Sequence, residues 1–364
     1  VIISAGFREA GEAGVEREQA VLDIARRYGM RLVGPNSLGV IDALHGLNVS
    51  FSDGLPPPWE VGVFSHSGAV ASAILDWSVQ TRNGFSKFIS LGNMADVTEV
   101  DVLRAWTADP EVRCAVAYLE GIRDGRAFFN AARDFTARKP LIAMKVGTTQ
   151  GGRAAAFSHT GALAGSERVV DAALRQSGIV RALTMEELFD FTRCFAFAPL
   201  PAGPNVAIVT NAGGPGVMAA DAVERLGLRL AGLSGETIER MRQGLPAAAS
   251  LRNPVDLIGD ADADRYRLAL EAIAEDEAVH GIIALLTPQA VTEPEATARI
   301  IVNVAKVQDK PIMGVYMGGT VVERGRAILS GEHVPVYNYP ERAVRSMEAM
   351  VRYADYRRSL ADGA

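Results

Sequence analysis

The sequence predicts an α/β protein built from doubly wound parallel sheets. Short apolar segments alternate with helix-period stretches along all 364 residues, and the strand candidates are mostly apolar, as strands covered on both faces are. Helix periodicity is visible in Val21, Ile24, Ala25 and Tyr28, which recur at i, i+3, i+4 and i+7. The predicted strands cover residues 1–5, 31–34, 60–65, 88–91, 114–119, 140–146, 205–210, 281–287 and 311–316.

Two proline-rich segments divide the chain into three predicted domains. Residues 54–59 and 198–204 each carry several prolines and separate two α/β patterns. The predicted domains are therefore 1–52, 60–198 and 204–357. Because Val1 opens directly on a strand-like segment without a methionine, we interpret residues 1–52 as the C-terminal part of a truncated domain.

Composition excludes several classes of protein. The chain is 48% hydrophobic and 22% charged, with a net charge of −6 and no basic stripe, so a nucleic-acid partner has no electrostatic support. No apolar segment is long enough to span a membrane. The two cysteines, Cys114 and Cys194, lie in apolar segments without a secretory signal, which indicates reduced, buried thiols in a cytoplasmic protein.

The second and third predicted domains begin alike, with a strand, a turn of small residues and a helix. The first turn contains Ser67, Gly68 and Ala69, and the second contains Gly213, Gly214 and Gly216. The unpaired N–H groups and the positive dipole end of each helix favour an anion there. Each turn alone is equally consistent with an ordinary strand-to-helix connection. Two of them predict a shared phosphate or acyl site.

Residues 147–165 form the most informative segment. It consists almost entirely of small residues with a single histidine, His159, and we expect it to be a glycine-hinged functional loop. Imidazole nitrogen can accept a phosphoryl group covalently. From the residues alone, His159 is either such a carrier or a histidine that hydrogen-bonds within its loop.

Polar residues follow several predicted strands, where open parallel sheets bind their ligands. Glu120 closes the strand 114–119 and could hold an imidazole in one tautomer, although a solvated surface acid is the alternative. Asn93, Asp96 and Asp256 occupy equivalent strand-end positions. His66, within the first turn, could touch a phosphate. No His or Cys pair has metal-ligand spacing, so no metal site is predicted.

Six motifs in order resemble the nucleoside-diphosphate-forming acyl-CoA synthetases, relatives of succinyl-CoA ligase and of the ADP-forming acetyl-CoA synthetases. The resemblance covers nearly the whole chain, and it implies the end of a Rossmann-like CoA-binding domain followed by two flavodoxin-like domains. The motifs are FSHSGA (64–69), ISLGNMADV (89–97), LEGIRDGR (119–126), SHTGALAGS (158–166), TNAGGPG (210–216) and NPVDL (253–257).

The resemblance implies a ligase that converts a small carboxylic acid, CoA and ATP into acyl-CoA, ADP and phosphate. It implies that His159 carries the phosphoryl group, that Glu120 steadies it, and that the two helix starts hold the phosphohistidine or acyl phosphate. CoA is expected near Asn36 and Ser37. ATP and Mg²⁺ are expected on ATP-grasp domains that this chain does not contain, so the ligase should be incomplete alone and should work as an oligomer or a longer fusion.

Two positions depart from the family pattern, and two other functions compete with the ligase. His66 stands where the family often has glutamine or arginine, and Ser37 where it often has cysteine.

One alternative to the ligase is a ligand-sensing region of the kind fused to protein acetyltransferases, which needs neither His159 nor Glu120. The other is a nicotinamide-dependent oxidoreductase, suggested by the fold alone and weakened by the lack of a complete GxGxxG motif.

Overall fold

The computed structural model describes residues 1–81, 84–160 and 166–362, with side chains not described at 79–81 and 156–160. The chain divides into two compact units, Val1–Thr192 and Arg193–Ala364. Each is an α/β unit around a mainly parallel sheet, so the predicted fold class is confirmed. Within the described ranges, none of the helices combines the length and apolarity needed to cross a membrane.

Unit 1 contains seven strands and the helices that connect them. The strands form one sheet in the order β2-β1-β4-β3-β5-β6-β7. A 3-10 helix, Arg8–Ala10, precedes the first α-helix. The elements are α1 (Glu12–Arg27), β1 (Gly39–Asp42), β2 (Leu47–Ser50), β3 (Val61–Ser65), α2 (Gly68–Thr81), β4 (Lys87–Ser90), α3 (Glu99–Thr107), β5 (Cys114–Leu119), α4 (Gly125–Thr136), β6 (Leu141–Lys145), α5 (Gln150–Thr160), α6 (Glu167–Gln176), β7 (Val180–Arg181) and α7 (Met185–Phe197), the last of which crosses the division between the units.

The centre of the unit 1 sheet is parallel and fully covered. Strands β4, β3, β5, β6 and β7 pair in parallel, whereas β1 runs antiparallel to both β2 and β4. Every residue of β3 and of β6 is buried, as expected for strands with helices on both faces. One face packs against α3 and α4 through Phe64, Trp106, Phe128 and Phe135.

The predicted strands at 1–5 and 31–34 are wrong. The two segments share a backbone hydrogen bond from Ile2 N to Val33 O at 3.0 Å, and neither is a strand. Residues 32–35 pair instead with the loop that follows β4, where Val97 N donates to Leu32 O and Ala95 N to Gly34 O, both at 3.0 Å. A loop cannot continue the regular pattern of a strand pair, so residues 31–34 form coil in which Leu32 and Gly34 are buried and Arg31 is exposed.

The expectation of a loop throughout residues 147–165 is also wrong, because Gln150–Thr160 forms the helix α5. Thr149 begins the helix: its Oγ1 accepts from Gly152 N at 3.1 Å and its carbonyl accepts from Arg153 N at 2.8 Å. The three alanines that follow have the highest helix propensity. Small residues without a hydrophobic stripe therefore formed a helix here. Residues 161–165 lie outside the described residues.

The predicted boundary between residues 52 and 60 does not separate two sheets. The hairpin β1–β2 joins the sheet of the following strands, with Val40 opposite Ile89 and Asp42 opposite Lys87. The hairpin was not predicted, because its strands are only four residues long and β2 is exposed. The predicted division into 1–52 and 60–198 as separate domains stays a prediction, and in this structure residues 1–192 form one unit.

Unit 2 is a smaller parallel sheet covered by helices. The strand order is β10-β8-β11-β12-β13, with β9 also paired to β8. Tyr266 and Tyr316 are among its largest fully buried side chains. The elements are β8 (Asn205–Thr210), α8 (Gly213–Arg225), β9 (Arg229–Leu230), α9 (Gly235–Arg242), β10 (Val255–Asp256), α10 (Ala263–Glu275), β11 (Gly281–Leu286), α11 (Pro294–Val307), β12 (Ile312–Tyr316), α12 (Thr320–Gly331), β13 (Val336–Tyr337) and α13 (Pro340–Asp362).

Candidate active site

The predicted site residues of unit 1 follow strands that end at one edge of the sheet. Because β4, β3, β5 and β6 are parallel, their carboxyl ends meet there. The loop with Asn93 and Asp96 follows β4, Ser67 follows β3, and Glu120 follows β5. Strand β6 leads into α5, whose backbone includes His159. Strand β1 begins at this same edge because it is antiparallel to β4, and Asn36 and Ser37 precede it. We call this edge the carboxyl edge.

The turns before α2 and α8 are built in the same way. After β3, Ser65 Oγ donates to Ser67 O at 2.8 Å and accepts from Ser67 N at 3.1 Å. After β8, Thr210 Oγ1 donates to Ala212 O and accepts from Ala212 N, both at 3.0 Å. In each turn the hydroxyl of the last strand residue fixes the peptide two positions on. Both turns therefore direct the chain into a helix whose first N–H groups face outward.

The glycines of the two turns have different surroundings. A Cβ added to Gly68 or Gly214 would meet no atom within 4 Å, which leaves both helix starts open to a ligand. A Cβ on Gly216 would lie 3.1 Å from Thr210 Cγ2, so that glycine serves the packing of α8 on β8. At Gly213 it would lie 3.3 Å from Asp256 Oδ2. The structure thus brings Asp256 to the start of α8, where a carboxylate is electrostatically favoured.

Glu120 is held through its main chain by two buried side chains. Its N–H donates to His66 Nδ1 at 3.2 Å, and its carbonyl accepts from Lys145 Nζ at 2.7 Å. Lys145 also donates to Val146 O at 2.6 Å. Burial lowers the pKa of Lys145, and the Glu120 carboxylate opposes that shift. Sequence reasoning missed Lys145, although a lysine that ends a strand of four apolar residues was a visible signal.

The side chain of His66 is buried beneath the turn that precedes α2 and is not exposed on the surface of the turn. Its side chain is 3% exposed, and its Nε2 lies 3.8 Å from Oε2 of Glu99, whose side chain is 4% exposed. Burial lowers the pKa of the imidazole to about 4, and the charges of Lys145 and Arg123 add to the shift. Burial also raises the pKa of Glu99. This buried position does not provide the direct contact with a phosphate that we expected of His66.

Of the two residues expected near CoA, one is exposed and one is buried. Asn36 is exposed with a positive φ of 55°, and its Nδ2 lies 3.4 Å from Asn93 Oδ1. Ser37 is 4% exposed; its hydroxyl donates to Ser90 O and accepts from Gly39 N at 2.9 Å. The Ser37 hydroxyl therefore links the start of β1 to the end of β4, and Asn36 is the accessible member of the pair.

Asn93 and Asp96 hold the loop after β4 in place. Asp96 Oδ2 accepts from Arg31 Nε at 2.9 Å and from Leu32 N at 2.7 Å. Asn93 Nδ2 donates to Glu9 Oε2 at 2.6 Å and to Glu18 Oε2 at 3.0 Å. These contacts give Asp96 a supporting role in the loop. The two glutamates could not be identified from local sequence patterns, because they lie in a different segment of the chain.

Arg123 and Gly92 fix the same loop from opposite sides. The Arg123 guanidinium donates to the carbonyls of Asn93 and Met94. Gly92 has φ +57°. A Cβ there would lie 2.2 Å from the carbonyl oxygen of Pro35 and 2.4 Å from that of Asn36. Only glycine permits this close approach of the two segments. The motif residues of this loop thus act together as a rigid support beside the carboxyl edge.

The predicted carrier, His159, lies near the end of α5. Its backbone belongs to α5, but its side chain is among those outside the described residues. Thr148, buried before α5, lies 3.5 Å from Arg181 Nη2, and Arg181 pairs with Asp171 Oδ1 at 3.1 Å. The segment that leads into α5 is therefore attached to β7 and α6. The role of His159 stays a prediction.

Unit 2 has a second set of buried polar contacts around its turn. Asn253 completes the edge of β8: its Oδ1 accepts from Ile208 N at 3.0 Å and its Nδ2 donates to Val206 O at 2.8 Å. The motif that contains it is thus structural at its first residue. Asn211, which sequence reasoning missed, bridges β8 and β11, because its Nδ2 donates to Thr287 O and its Oδ1 accepts from Thr287 N, both at 2.9 Å.

The remaining described histidines lie away from the carboxyl edge or in structural contacts. His45 Nδ1 lies 3.0 Å from Asp42 Oδ1 and Nε2 3.6 Å from Glu111 Oε1, at the opposite edge of the unit 1 sheet. These three residues could converge on a metal ion, but Lys87 already contacts Glu111 and supplies a cation there. His280 Nδ1 accepts from Asn205 N at 3.2 Å. Both cysteines are buried and lie outside any disulfide, as predicted.

Comparisons with known proteins identify the family. Residues 58–195 match the succinyl-CoA ligase like flavodoxin domain, and residues 206–361 match the Ligase-CoA domain. The alpha subunit of acetate–CoA ligase (ADP-forming) II of Pyrococcus furiosus is 40% identical over 358 residues, which cover 97% of this chain and 78% of that subunit. The chain belongs to the nucleoside-diphosphate-forming acyl-CoA synthetase family.

Solved structures and longer relatives agree with this membership. The dinucleotide forming acetyl-coenzyme A synthetase 1 of Ca. Korarchaeum cryptofilum, in complex with phosphate and ADP, has a TM-score of 0.93 and 34% identity, covering all of this chain and 78% of that one. Acetate–CoA ligase (ADP-forming) I of Archaeoglobus fulgidus is 41% identical over 97% of this chain, which spans 50% of its length. The resemblance to acyl-CoA synthetases is confirmed, and the alternative of a ligand-sensing region is not favoured.

Proposed function

We propose that this chain is the acyl-transferring part of an ADP-forming acyl-CoA synthetase, which converts a small carboxylic acid, CoA and ATP into acyl-CoA, ADP and phosphate. One observation carries the proposal. In unit 1 the open start of α2, the held residue Glu120 and the segment that ends in α5 all leave the same carboxyl edge. That edge is where ligands bind in open parallel sheets.

The proposed chemistry has three steps. His159 attacks the γ-phosphorus of ATP, and ADP leaves. The carboxylate of the acid then attacks the phosphohistidine, which yields an acyl phosphate and frees the imidazole. The CoA thiolate finally attacks the acyl carbon, and phosphate leaves. Each intermediate is an anion, so a helix start without side chains in its way stabilises all of them.

The residues of the carboxyl edge take different roles in this scheme. The N–H groups at the start of α2 receive the phosphoryl oxygens: Gly68 leaves the approach open, and Ser67 Oγ caps the helix by accepting from Val70 N at 3.3 Å. Glu120 accepts a hydrogen bond from one imidazole nitrogen and so leaves the other to react. CoA approaches the exposed Asn36. The start of α8, with Gly213, Gly214 and Gly216, supplies the second anion site of the family scheme, and Asp256 beside it has a supporting role, since its Oδ1 accepts from Ile258 N at 2.9 Å.

ATP binding requires further protein. The chain spans about half of the single-chain relative and 78% of the alpha subunit. We therefore propose that an ATP-grasp domain, fused or as a partner subunit, supplies ATP with Mg²⁺, and that the working enzyme is an oligomer or a fusion. A cytoplasmic location is part of the proposal and is supported by the two buried cysteines, which form no disulfide.

The test is phosphorylation of the full-length parent, or of this chain with its ATP-grasp partner, with γ-labelled ATP. We expect acid-labile, base-stable label on the wild type and none on His159→Ala. His45→Ala is the matched control, because that exposed histidine lies at the opposite edge of the sheet, and it should label normally. A wild type that takes no label while binding ATP would refute the ligase and favour the ligand sensor.

A further inference from the structure

We propose that His66 and Lys145 are positioning residues that hold the main chain of Glu120 from both sides. This inference rests on the proposed role of Glu120 toward the phosphohistidine. His66 accepts the N–H of Glu120 at 3.2 Å, and Lys145 donates to its carbonyl at 2.7 Å. We call this pair of contacts the Glu120 clamp.

The Glu120 clamp lies directly after the carboxyl end of β5, where the backbone pairing of the parallel sheet ends. His66 N still donates to Tyr118 O and Val146 N to Leu119 O, both at 3.0 Å, which are the last backbone bonds from the neighbouring strands to β5. At Glu120 they are replaced by two side chains: that of His66, which directly follows β3, and that of Lys145, the last residue of β6. The peptide groups on both sides of the Glu120 Cα atom are thereby fixed, and with them the direction in which its carboxylate leaves the edge.

The His66 contact specifies one form of the ring. An imidazole accepts a hydrogen bond at Nδ1 only when that nitrogen carries no proton, so the neutral ring must hold its proton on Nε2. Nε2 has no hydrogen-bond partner among the described residues and lies 3.8 Å from Glu99. A buried polar atom without a partner is unfavourable. The packing therefore does not explain the choice of histidine, whereas the acceptor at Nδ1 does.

Stability alone does not explain the buried ammonium of Lys145. Removal of its charge from water is costly, and buried ion pairs are often replaceable by apolar residues without loss. Here the ammonium donates two hydrogen bonds, one to the carbonyl of Glu120 and one to the carbonyl of Val146. Those carbonyls belong to the end of β5 and to the segment that leads into α5. One side chain thus sets the spacing between Glu120 and the start of that segment.

The test compares His66→Leu with His66→Gln in the full-length parent or in the complex with the ATP-grasp partner. Glutamine is neutral and can accept the Glu120 N–H, whereas leucine cannot. We expect phosphohistidine formation in a single turnover to slow on the order of a hundredfold in His66→Leu, the scale of a misplaced catalytic group, and only a few-fold in His66→Gln. Lys145→Met, which acts from the other side, should give a similar loss.

Two further readouts separate positioning from damage to the fold. Fluorescence of the three tryptophans, all in unit 1, must match the wild type. In protein labelled with ¹⁵N-histidine, the signal that His66→Gln removes must show an unprotonated Nδ1. Equal labelling rates in folded His66→Leu and wild type, or a proton on Nδ1, would overturn the clamp while the ligase stands. A wild type without any label would overturn the proposed function and the clamp with it.

Discussion

Acidification should lower the free energy of unfolding of unit 1, because the buried imidazole of His66 must take up a proton. The size of the effect follows from the lowered pKa of that imidazole. The pKa of the folded imidazole is about 4, against 6.5 for the unfolded chain. Because the folded pKa is the lower one, the unfolded chain takes up the proton first as pH falls, and stability is lost between about pH 6.5 and about pH 4. The difference is about 2.5 pH units at about 1.4 kcal/mol each, or about 3.5 kcal/mol.

The assay is urea unfolding followed by tryptophan fluorescence at pH 7 and at pH 4.5, for wild type and His66→Gln. Trp59, Trp77 and Trp106 all belong to unit 1, so the signal follows that unit. Most of the decrease in the free energy of unfolding between pH 7 and pH 4.5 should appear in the wild type and not in His66→Gln. Glu99, whose raised pKa acts in the opposite sense, is common to both proteins. Parallel pH profiles for the two proteins would refute the assignment of a buried neutral ring.

Three other substitutions test the turns and the loop. Gly92→Ala should destabilise unit 1 by about 1–3 kcal/mol or more, because it combines a positive φ with a carbonyl at 2.2 Å; an unchanged urea midpoint in fluorescence would contradict the contact. Asn253→Ala should lower the thermal midpoint of unit 2 in circular dichroism, since it leaves buried groups of β8 unpaired at about 1–3 kcal/mol, and a midpoint equal to the wild type would contradict this. Gly214→Ala should leave that midpoint unchanged or higher because its Cβ meets open space, yet slow the labelling reaction; normal labelling would argue against an anion at the start of α8.

The sequence was sufficient for the fold class and for most of the carboxyl edge. Apolar strands separated by helix-period segments predicted the parallel sheets, and strand-end positions placed Glu120 and Ser67 at the same edge as the segment of His159. These predictions depend on local patterns, which a sequence displays directly. The identical turns after β3 and β8 were visible for the same reason, since both are short and contiguous.

What the sequence did not show depends on contacts between distant segments. Lys145, Asn211 and Glu18 take their roles from partners dozens of residues away. The helix α5 was missed for another reason: we treated the absence of an apolar stripe as evidence for a loop, although alanine and a threonine cap favour a helix without one. CoA is expected near Ser37 because its position matches a motif; the buried Ser37 hydroxyl donates to Ser90 O, a contact that the sequence did not show, and its role toward CoA stays a prediction.

The hairpin β1–β2 has a practical consequence for anyone who expresses parts of this protein. The domain match begins at residue 58, and a fragment cut there would lose both strands of the hairpin. The backbone groups of β4 that now pair with β1 would become an open sheet edge next to buried apolar residues. Such an edge pairs readily with another chain, so the shorter fragment should aggregate where one that begins before Gly39 stays monodisperse.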